Sequence, residues 1–471
     1  MTRINRRSLL QGAVGFTAGL AASACSQALR PSDRSSSPPS SGAAQAADIE
    51  QVVDPASLER SQIKVGYVPV NDCAPFAIAQ AKGFFYKYGL TVTLNREASW
   101  GTSRDGIIFG RVDAAPVVSG AVTNARVGAE GAPQAPMCAA MTIHRHGNAM
   151  TMNRAMWDYG LRPWREYEGD LEAFGRDFRG YFDGLPPTQK VWATVLSSAI
   201  YEYFIRYLSA AAGVDPLESF RIIINPPPQM VSNVRIGAMQ AYMVAEPWNT
   251  RAISGNEDVG FTFAHGKEIW RGHPDRVLAV MEDFINENPN TYRSLVKAMI
   301  EACRYCDDPA NRTEVAAIIS DRSFTGAPPK FTEPGLVGNY NYGGFDGKSR
   351  KVQIPDSTIF FELPEDLPHP PGDHSTFMWQ SQSIWLMTQA ARWGQIAEFP
   401  ADAEAKARQA WRTDLYRDIA AEMGIDCPAE DYKVEPGELF IDGVAYDPSD
   451  PVGYLNGFEI RANRPQRIFM G

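Results

Sequence analysis

The sequence lacks an apolar run long enough to cross a membrane. Its longest uncharged apolar stretch near the start, residues 9–22, is shorter than the about 20 residues that a membrane-spanning helix needs. It also lacks a Walker phosphate loop, the GxSxG turn of serine hydrolases and the HExxH pair of zinc proteases. Its formal net charge is −10, so it lacks the basic excess that nucleic-acid binding requires. These absences argue against a membrane-spanning protein, against those three kinds of enzyme and against a nucleic-acid-binding protein.

Cysteine is scarce, and its number does not suit a disulfide-stabilised domain. The 6 cysteines are Cys25, Cys73, Cys138, Cys303, Cys306 and Cys427. Cys25 is a candidate lipid anchor, which leaves an odd number of cysteines for pairing. Cys303 and Cys306 share helical spacing with Val296 and Met299, so we expect both thiols to pack in the core.

Residues 1–25 have the features of a bacterial export signal. Arg6 and Arg7 precede the uncharged stretch, and small residues at 22–24 follow it. Paired arginines before a short apolar run are typical of the twin-arginine route. A lipid on Cys25 would anchor the protein to the inner membrane from the periplasm, although residues 22–24 also fit cleavage without lipidation.

Residues 26–60 are expected to form a disordered tether. Residues 34–42 are almost entirely Ser, Pro and Gly, a composition that cannot bury a core. About 410 residues follow the tether, which exceeds the size of one ordinary domain. We therefore expect at least two lobes.

Strands alternate with helices in this larger part of the chain. Residues 63–70 predict a strand, 76–82 a helix and 90–94 a second strand. The alternation begins again with a strand at 190–194 and a helix at 200–212. We therefore predict an α/β fold of largely parallel sheets in two lobes, with a cleft lined by strand carboxyl ends and helix amino ends.

The two runs of alternating strands and helices predict how the chain is divided between the lobes. We expect residues 61–147 to form the first part of lobe 1 and residues 148–250 to form lobe 2. Residues 251–471 should return to lobe 1 and add a C-terminal extension that wraps the lobes. The crossings between lobes are expected near residues 147–150 and 249–275.

Several short segments, in order along the chain, match one family. They include Gly66-Tyr67-Val68-Pro69, Ala98-Ser99-Trp100, Pro226-Pro227-Pro228-Gln229, Glu246-Pro247-Trp248, Ile269-Trp270-Arg271 and Ile441-Asp442-Gly443-Val444. On these residues the chain resembles the nitrate/bicarbonate-binding family of ABC importer solute-binding proteins. The resemblance covers nearly the whole chain after the tether.

The resemblance implies a periplasmic-binding-protein fold with a small inorganic anion between two hinged lobes. It implies a membrane permease and an ATPase as partners, and neither catalysis nor a cofactor. Nitrate or nitrite is the favoured ligand, and bicarbonate, cyanate or another small solute remains an alternative. Alternatives from other functional classes are a secreted sensor domain and an enzyme on the same fold, which would need a reactive Lys or Cys in the cleft.

Trp100 and Arg271 are the main ligand contacts that the resemblance implies. A Trp of the Ala-Ser-Trp segment lies in the family's pocket, where its indole N–H can donate to an anion oxygen. Arg271 stands where nitrate-type members carry a cation and bicarbonate-type members carry an acid that helps to hold calcium. A guanidinium offers paired donors to a planar oxyanion and repels calcium. The alternatives are a core tryptophan and a solvated surface arginine.

Three other ligand-binding candidates follow from the resemblance. Thr194 stands where the nitrate pattern has His, and His146 stands where it has Gln. Both departures weaken the nitrate assignment, as does the stretch 111–120, where nitrate-type members often have a Gly-rich segment with a Trp. Glu246 faces the cleft by family position, as a ligand contact or as the partner of a cation. For His146 a hinge-strand role is an equal alternative, and with His144 it supplies too few ligands for a zinc site.

Overall fold

A computed structural model describes residues 49–254 and 259–462 of the chain. The predicted export signal, the candidate anchor Cys25 and residues 26–48 of the expected tether lie outside the described residues. Within the described ranges, no helix is long and apolar enough to cross a membrane.

Strands and helices alternate along most of the described chain. The strands are β1 (Gln62–Tyr67), β2 (Thr91–Arg96), β3 (Ala114–Val118), β4 (Met137–His146), β5 (Asn148–Asn153), β6 (Val191–Thr194), β7 (Arg221–Ile224), β8 (Ala241–Ala245), β9 (Gly260–His265), β10 (Pro274–Met281), β11 (Asn339–Asn341), β12 (Lys351–Gln353) and β13 (Thr358–Ile359). The helices are α1 (Ala74–Ala81), α2 (Phe84–Lys87), α3 (Trp100–Ile108), α4 (Ala121–Val127), α5 (Arg154–Tyr159), α6 (Leu171–Asp183), α7 (Ile200–Ala211), α8 (Pro216–Ser219), α9 (Met230–Arg235), α10 (Trp248–Ile253), α11 (Glu282–Glu287), α12 (Pro289–Asp307), α13 (Arg312–Ile319), α14 (Pro329–Val337), α15 (Gln380–Arg392), α16 (Ala403–Ala410), α17 (Thr413–Glu422) and α18 (Pro451–Asn456).

The first sheet has the strand order β13-β4-β10-β3-β1-β2. Strand β1 runs parallel to β2 and β3, whereas β10 runs antiparallel to both β3 and β4. Strands β3 and β4 are buried along their whole length, which is typical of a sheet that is covered on both faces.

The second sheet has the strand order β7-β6-β8-β5-β9. Strand β6 runs parallel to β7 and β8, and β5 runs antiparallel to β8 and β9. Each sheet with its helices forms one lobe, so the predicted two-lobed α/β fold is confirmed. The sheets are less uniformly parallel than predicted, because β5 and β10 enter their sheets from the other lobe and run against the neighbouring strands.

The described chain passes directly from one of these two sheets to the other at two places. The first is Gly147, which separates β4 in the first sheet from β5 in the second and has a φ of 83°. The second is the segment 266–273, which connects β9 to β10. The expected return to lobe 1 at residue 251 comes later in the structure, since β9 still pairs with β5 in the second sheet.

The two lobes contact each other where strands end and helices begin. The carbonyl oxygen of Ser119, after β3, accepts a hydrogen bond of 3.1 Å from the backbone N–H of Ile200, the first residue of α7. Between them, Gly120 has a φ of 97°, and a Cβ on this residue would lie 3.2 Å from the Cα of Ala199. The missing side chain at Gly120 therefore allows the backbones of the two lobes to approach closely.

Helix α12 packs its apolar face against the first lobe. Cys303 and Cys306 are fully buried on this helix, and the Cys303 thiol lies 3.3 Å from the carbonyl oxygen of Ile143 in β4. The prediction that these two cysteines pack in the core is confirmed.

Candidate functional site

A group of buried polar and aromatic side chains lies where the two lobes meet. Its members are Asp72, Trp100, His144, Tyr201, Asp275 and Arg276, and we call it the Arg276 cluster. Each member is at most 2% exposed. Charged groups are rarely buried so completely, which makes this cluster the first candidate for a functional site.

The cluster forms where a turn, the first residues of two helices and the start of a strand come together. Asp72 lies in the turn Asn71–Cys73 that follows β1. Trp100 is the first residue of α3, and Tyr201 is the second residue of α7. Asp275 and Arg276 lie at the start of β10, where irregular pairing with β4 shifts the register.

Arg276 is held by acids on two sides. Its Nε lies 2.5 Å from Oδ2 of Asp72, and its Nη1 lies 2.9 Å from Oδ1 of Asp275. Neither contact has hydrogen-bond alignment, and both carboxylate oxygens and the Nε are without a hydrogen-bond partner within residues 49–254 and 259–462. The guanidinium is therefore neutralised by ion pairing while part of its hydrogen-bonding capacity stays unused.

Two aromatic residues fix the position of the same guanidinium. Its Cζ lies 4.2 Å from the centroid of the Trp100 ring and 5.0 Å from that of Tyr201, which is the geometry of a cation–π contact. The Arg276 Nη2 donates to the Tyr201 hydroxyl at 2.8 Å, and this hydroxyl donates to Oδ2 of Asp275 at 3.0 Å. The cluster thus contains residues from both lobes.

His144 lies between the two acids. Its Nε2 is 3.3 Å from Oδ1 of Asp72, and its Nδ1 is 3.9 Å from Oδ2 of Asp275. The ligand atoms of these three residues lie within 4.8 Å of one another, a spacing that a metal ion could bridge. The guanidinium of Arg276 already supplies a cation against both carboxylates, so we describe the trio as part of an ion-pair network rather than as a metal centre.

The two acids differ in their proton affinity. Burial raises the pKa of Asp275 to about 6, against the opposing effect of Arg276. Burial acts on Asp72 in the same direction, but Arg276 and His144 outweigh it and hold the pKa of Asp72 below its ordinary value. Near neutral pH, Asp72 is thus ionised and Asp275 lies close to its titration.

Two of the predicted ligand contacts carry buried donors that have no hydrogen-bond partner among the described residues. They are the indole Nε1 of Trp100 and the hydroxyl of Thr194. A buried polar group without a partner is costly, so each of these two donors is available to a group from outside the chain. Of the predicted ligand contacts, Trp100 therefore lies in the cluster, and Thr194 lies at the end of β6 with a free donor.

Glu246 and His146 contact other parts of the protein. The Oε2 of Glu246 accepts from the backbone N–H of Thr250 at 3.0 Å, and burial raises the pKa of this acid to about 7. The Nε2 of His146 accepts from the N–H of Gly272 at 2.7 Å, and its Nδ1 lies 2.7 Å from the carbonyl oxygen of Asp356. Burial lowers the pKa of His146 well below its ordinary value, so its ring is neutral and holds the crossing segment.

Arg271 lies on that crossing segment and is paired with acids outside the Arg276 cluster. Its Nη2 is 2.6 Å from Oδ1 of Asp366 and 3.8 Å from Oδ2 of Asp356. It lines an open cavity of about 1040 Å³ together with Lys267 and Arg304, among others. The structure therefore does not bring Arg271 together with Trp100 and Thr194 in this cavity, whose lining includes neither of them.

Sequence reasoning missed Asp72, Tyr201, Asp275 and Arg276. A signal for two of them was present, since Asp275-Arg276 opens a strand that continues as the apolar run 277–281. Charged residues at the start of a buried strand indicate a site more strongly than charges in a connecting loop. For Tyr201 the signal was its position at the start of a helix that directly follows a strand.

Comparison with protein families and curated proteins finds extended similarity. The model of the NMT1-like family matches residues 56–320. The bicarbonate transport ATP-binding protein CmpC of Synechococcus elongatus is 33% identical over 411 residues, which cover 86% of this chain and 56% of that protein. The chain thus spans about half the length of this ATP-binding relative. The bicarbonate-binding protein CmpA of the same organism is 28% identical over 429 residues, covering 86% of this chain and 88% of that protein.

A solved structure has the same overall fold. The periplasmic nitrate-binding protein NrtA from Synechocystis superposes with a TM-score of 0.75 at 26% sequence identity. The match covers 86% of this chain and 100% of the other. The two sheets and the junction that holds the Arg276 cluster therefore lie within a fold that a nitrate-binding protein also uses.

Proposed function

Because the chain belongs to the NMT1-like family, we propose that it is the solute-binding component of an ABC importer and captures a small oxyanion between its lobes. The relatives support this role, since CmpA and NrtA are named for binding bicarbonate and nitrate. CmpC is named as a transport ATP-binding protein. The corresponding partners of this chain would be a membrane permease and an ATPase.

The Arg276 cluster is the observation that carries the proposal. Residues from both lobes surround a buried guanidinium, and the Trp100 indole and the Thr194 hydroxyl offer donors that no residue in the described part of the chain uses. Donors concentrated at the junction would bind an anion and hold the lobes together over it. Such a site attracts an anion locally, although the net charge of the chain is −10.

The choice between nitrate and bicarbonate depends on which arginine contacts the ligand. The sequence argument for nitrate or nitrite relied on Arg271, and its charge is already paired with Asp366 at 2.6 Å. We assign the ligand to Arg276 and Trp100 instead, with Thr194 as a further donor.

The proposed place of action is the periplasm. NrtA, which shares the fold, is described as periplasmic, and residues 1–25 have the pattern of a twin-arginine signal. A lipid on Cys25 would keep the protein near its permease, with the following Ser- and Pro-rich residues as a tether. This role requires no catalysis and no cofactor.

Calorimetric titration with nitrate, nitrite, hydrogencarbonate and cyanate tests the proposal. We expect at least one of these anions to bind and to raise the melting temperature, because a ligand of the folded state stabilises it. Trp100→Phe should weaken binding by about fivefold to tenfold, since a neutral hydrogen bond contributes about 1 kcal/mol.

Arg271→Gln is the matched control for the position of the site. It removes a cation that lies outside the Arg276 cluster and should leave the affinity within about twofold, because surface ion pairs contribute little. Absence of binding by all four anions would contradict the proposed function. Loss of binding in Arg271→Gln together with normal binding in Trp100→Phe would move the ligand to the other cavity.

A further inference from the structure

Residues 435–446 form a closed loop in the C-terminal part of the chain, and we call it the C-terminal loop. The backbones of Glu435 and Tyr446 exchange two hydrogen bonds of 2.9 Å, and this pair is the base of the loop. Within the loop, a Cβ on Gly437 would collide with the carbonyl oxygen of Gly443, so a glycine is needed for this close approach. The loop is therefore folded tightly on itself.

Helix α15 holds the base of the C-terminal loop. Gln382 on this helix donates from its Nε2 to Oε1 of Glu435 at 2.7 Å. The hydroxyl of Tyr446 donates to a carbonyl oxygen of the same helix at 3.1 Å. The helix itself is joined to lobe 1, because the hydroxyls of Ser383 and of Thr123 on α4 share a hydrogen bond of 2.7 Å. The base of the loop is thus attached to lobe 1.

The middle of the C-terminal loop pairs with the second crossing between the lobes. The backbone N–H of Arg271 donates to the carbonyl oxygen of Leu439 at 2.7 Å, and the N–H of Ile441 donates to the carbonyl oxygen of Ile269 at 2.9 Å. A hinge works by changing the backbone dihedrals of a few residues. Residues 269–271 are held in an extended pairing, so they cannot act as a free hinge while both hydrogen bonds persist.

The same loop also contacts lobe 2. The hydroxyl of Tyr207 on α7 donates to Oδ1 of Asp442 at 2.9 Å. The ring of Phe440 stacks on that of Trp270 in the crossing, with centroids 5.2 Å apart, and its centroid lies 6.1 Å from that of Tyr207. One short loop therefore joins lobe 1, the second crossing and lobe 2.

We propose that the C-terminal loop is a latch: the lobes open only after this loop leaves the second crossing, so its release sets the rate at which a ligand enters and leaves the junction between the lobes. The ligand in this inference rests on the proposed function, whereas the latch is a property of the chain alone. The lobes are in contact at Ser119 and Ile200 while the loop is in place, so the structure has the latched form.

A latch changes the rates of binding more than the affinity. As long as the latched form predominates with and without ligand, a weaker latch makes opening more frequent in both states by the same factor. The association and dissociation rate constants then rise together, and their ratio stays constant. Loss of a ligand contact would instead act mainly on the dissociation rate constant. The two explanations therefore differ in a quantity that can be measured.

Asp442→Ala tests the contact between the latch and lobe 2. The variant removes the acceptor of the Tyr207 hydroxyl and leaves the pairing with the crossing in place. Stopped-flow tryptophan fluorescence of the full-length protein with sodium nitrate and with sodium hydrogencarbonate should show both rate constants raised about fivefold to tenfold. The ratio of the two constants should stay within about twofold of that of the parent protein.

Asp447→Ala is the matched control for Asp442→Ala. Asp447 is an exposed acid that directly follows the C-terminal loop, and its Oδ1 accepts a hydrogen bond of 2.9 Å from the nearby N–H of Ser449. This control should leave both rate constants within about twofold of the parent values. Unchanged rate constants in Asp442→Ala, or a rise in the dissociation rate constant alone, would show that the loop is not a latch.

Phe440→Ala tests the latch in the absence of any anion. Loss of the ring that stacks on Trp270 should populate the unlatched form. Small-angle X-ray scattering of the anion-free variant should then give a radius of gyration at least about 1 Å above that of the parent, for which a compact chain of this length predicts about 23 Å. An equal radius in the folded variant would contradict the proposal.

The two measurements separate failure of the latch from failure of the proposed function. If none of nitrate, nitrite, hydrogencarbonate and cyanate binds the parent protein, the proposed function fails, and scattering by Phe440→Ala alone decides the latch. If anions bind and the rate constants of Asp442→Ala equal those of the parent, the latch fails and the proposed function stands. The rates of Asp442→Ala also decide the question if Phe440→Ala does not fold.

Discussion

Two arginines five residues apart illustrate what the sequence leaves open at the scale of single residues. Arg271 attracted the sequence argument because it belongs to a family segment and stands where nitrate-type members carry a cation. In the structure it lies in the crossing and pairs with Asp366, whereas Arg276 is the third residue of β10 and lies over the Trp100 ring. Which of two nearby cations is buried depends on where β10 begins, and this boundary is set by pairing with β4, not by local sequence.

Glu246 should make the stability of the protein depend on pH. Burial raises its pKa from 4.5 to about 7, so the folded state binds the proton more tightly than the unfolded state. Its contribution to stability is therefore full below pH 4.5 and is lost as the pH rises through 7. Glu246→Gln should remove this dependence and exceed the parent in unfolding free energy by about 1–3 kcal/mol at pH 8.

Urea denaturation of both proteins at about pH 5 and about pH 8 measures the effect of Glu246→Gln. The two proteins should differ less at the lower pH, where the parent acid is protonated. Equal pH dependence in the parent and the variant would show that the carboxyl of Glu246 is not the group that titrates. Loss of anion binding in the variant would instead make Glu246 a ligand contact, as the sequence resemblance implied.

At the scale of elements, local sequence signals correctly predicted individual helices and strands. The predicted helix at 200–212 is α7, Ile200–Ala211, and the predicted strand at 190–194 is β6, Val191–Thr194. The direction of β10 was not predictable in this way, because it depends on a return from the other lobe. Alternation along the chain gives the order of elements, and only tertiary pairing gives the antiparallel neighbours of β10.

The close approach of the lobes at Gly120 predicts an effect of one added methyl group. Gly120→Ala places a Cβ 3.2 Å from the Cα of Ala199 and strains a residue whose φ is 97°. We expect the variant to bind its anion about tenfold more weakly, because closure of the lobes then costs about 1–2 kcal/mol more. Calorimetric titration measures the affinity.

Gly237→Ala is the matched control for Gly120→Ala. Gly237 also has a positive φ, 72°, but a Cβ there would have no neighbour within 4 Å. This variant carries backbone strain without a contact between the lobes, so it should lose some stability and keep its affinity. Equal loss of affinity in both variants would attribute the effect to strain alone and would contradict the role of close approach.

At the scale of the whole molecule, the family could be identified from sequence, but the ligand contacts could not. The resemblance to the nitrate/bicarbonate-binding family is confirmed, because the family model, CmpA and the NrtA structure all match. Short segments in a fixed order suffice to identify a fold. The ligand contacts that we propose, Arg276 and Trp100, come together from distant parts of the chain, so no local pattern marks them.

The net charge of the molecule predicts an unusual response of binding kinetics to salt. The chain carries a formal charge of −10, so its overall field repels a monovalent anion before the anion reaches the buried donors. Added salt screens that repulsion over a Debye length of about 10 Å at 0.1 M and should accelerate association. Between about 10 and 150 mM sodium gluconate, whose bulky anion does not fit a site for small oxyanions, we expect the association rate constant to rise about twofold to fivefold.

Stopped-flow measurement of tryptophan fluorescence gives this rate, and the dissociation rate constant should stay within about twofold because the bound anion is shielded from solvent. An association rate that falls with salt would mean that a positive surface steers the ligand, and the site would then have to lie where cations outnumber acids rather than at the Arg276 cluster.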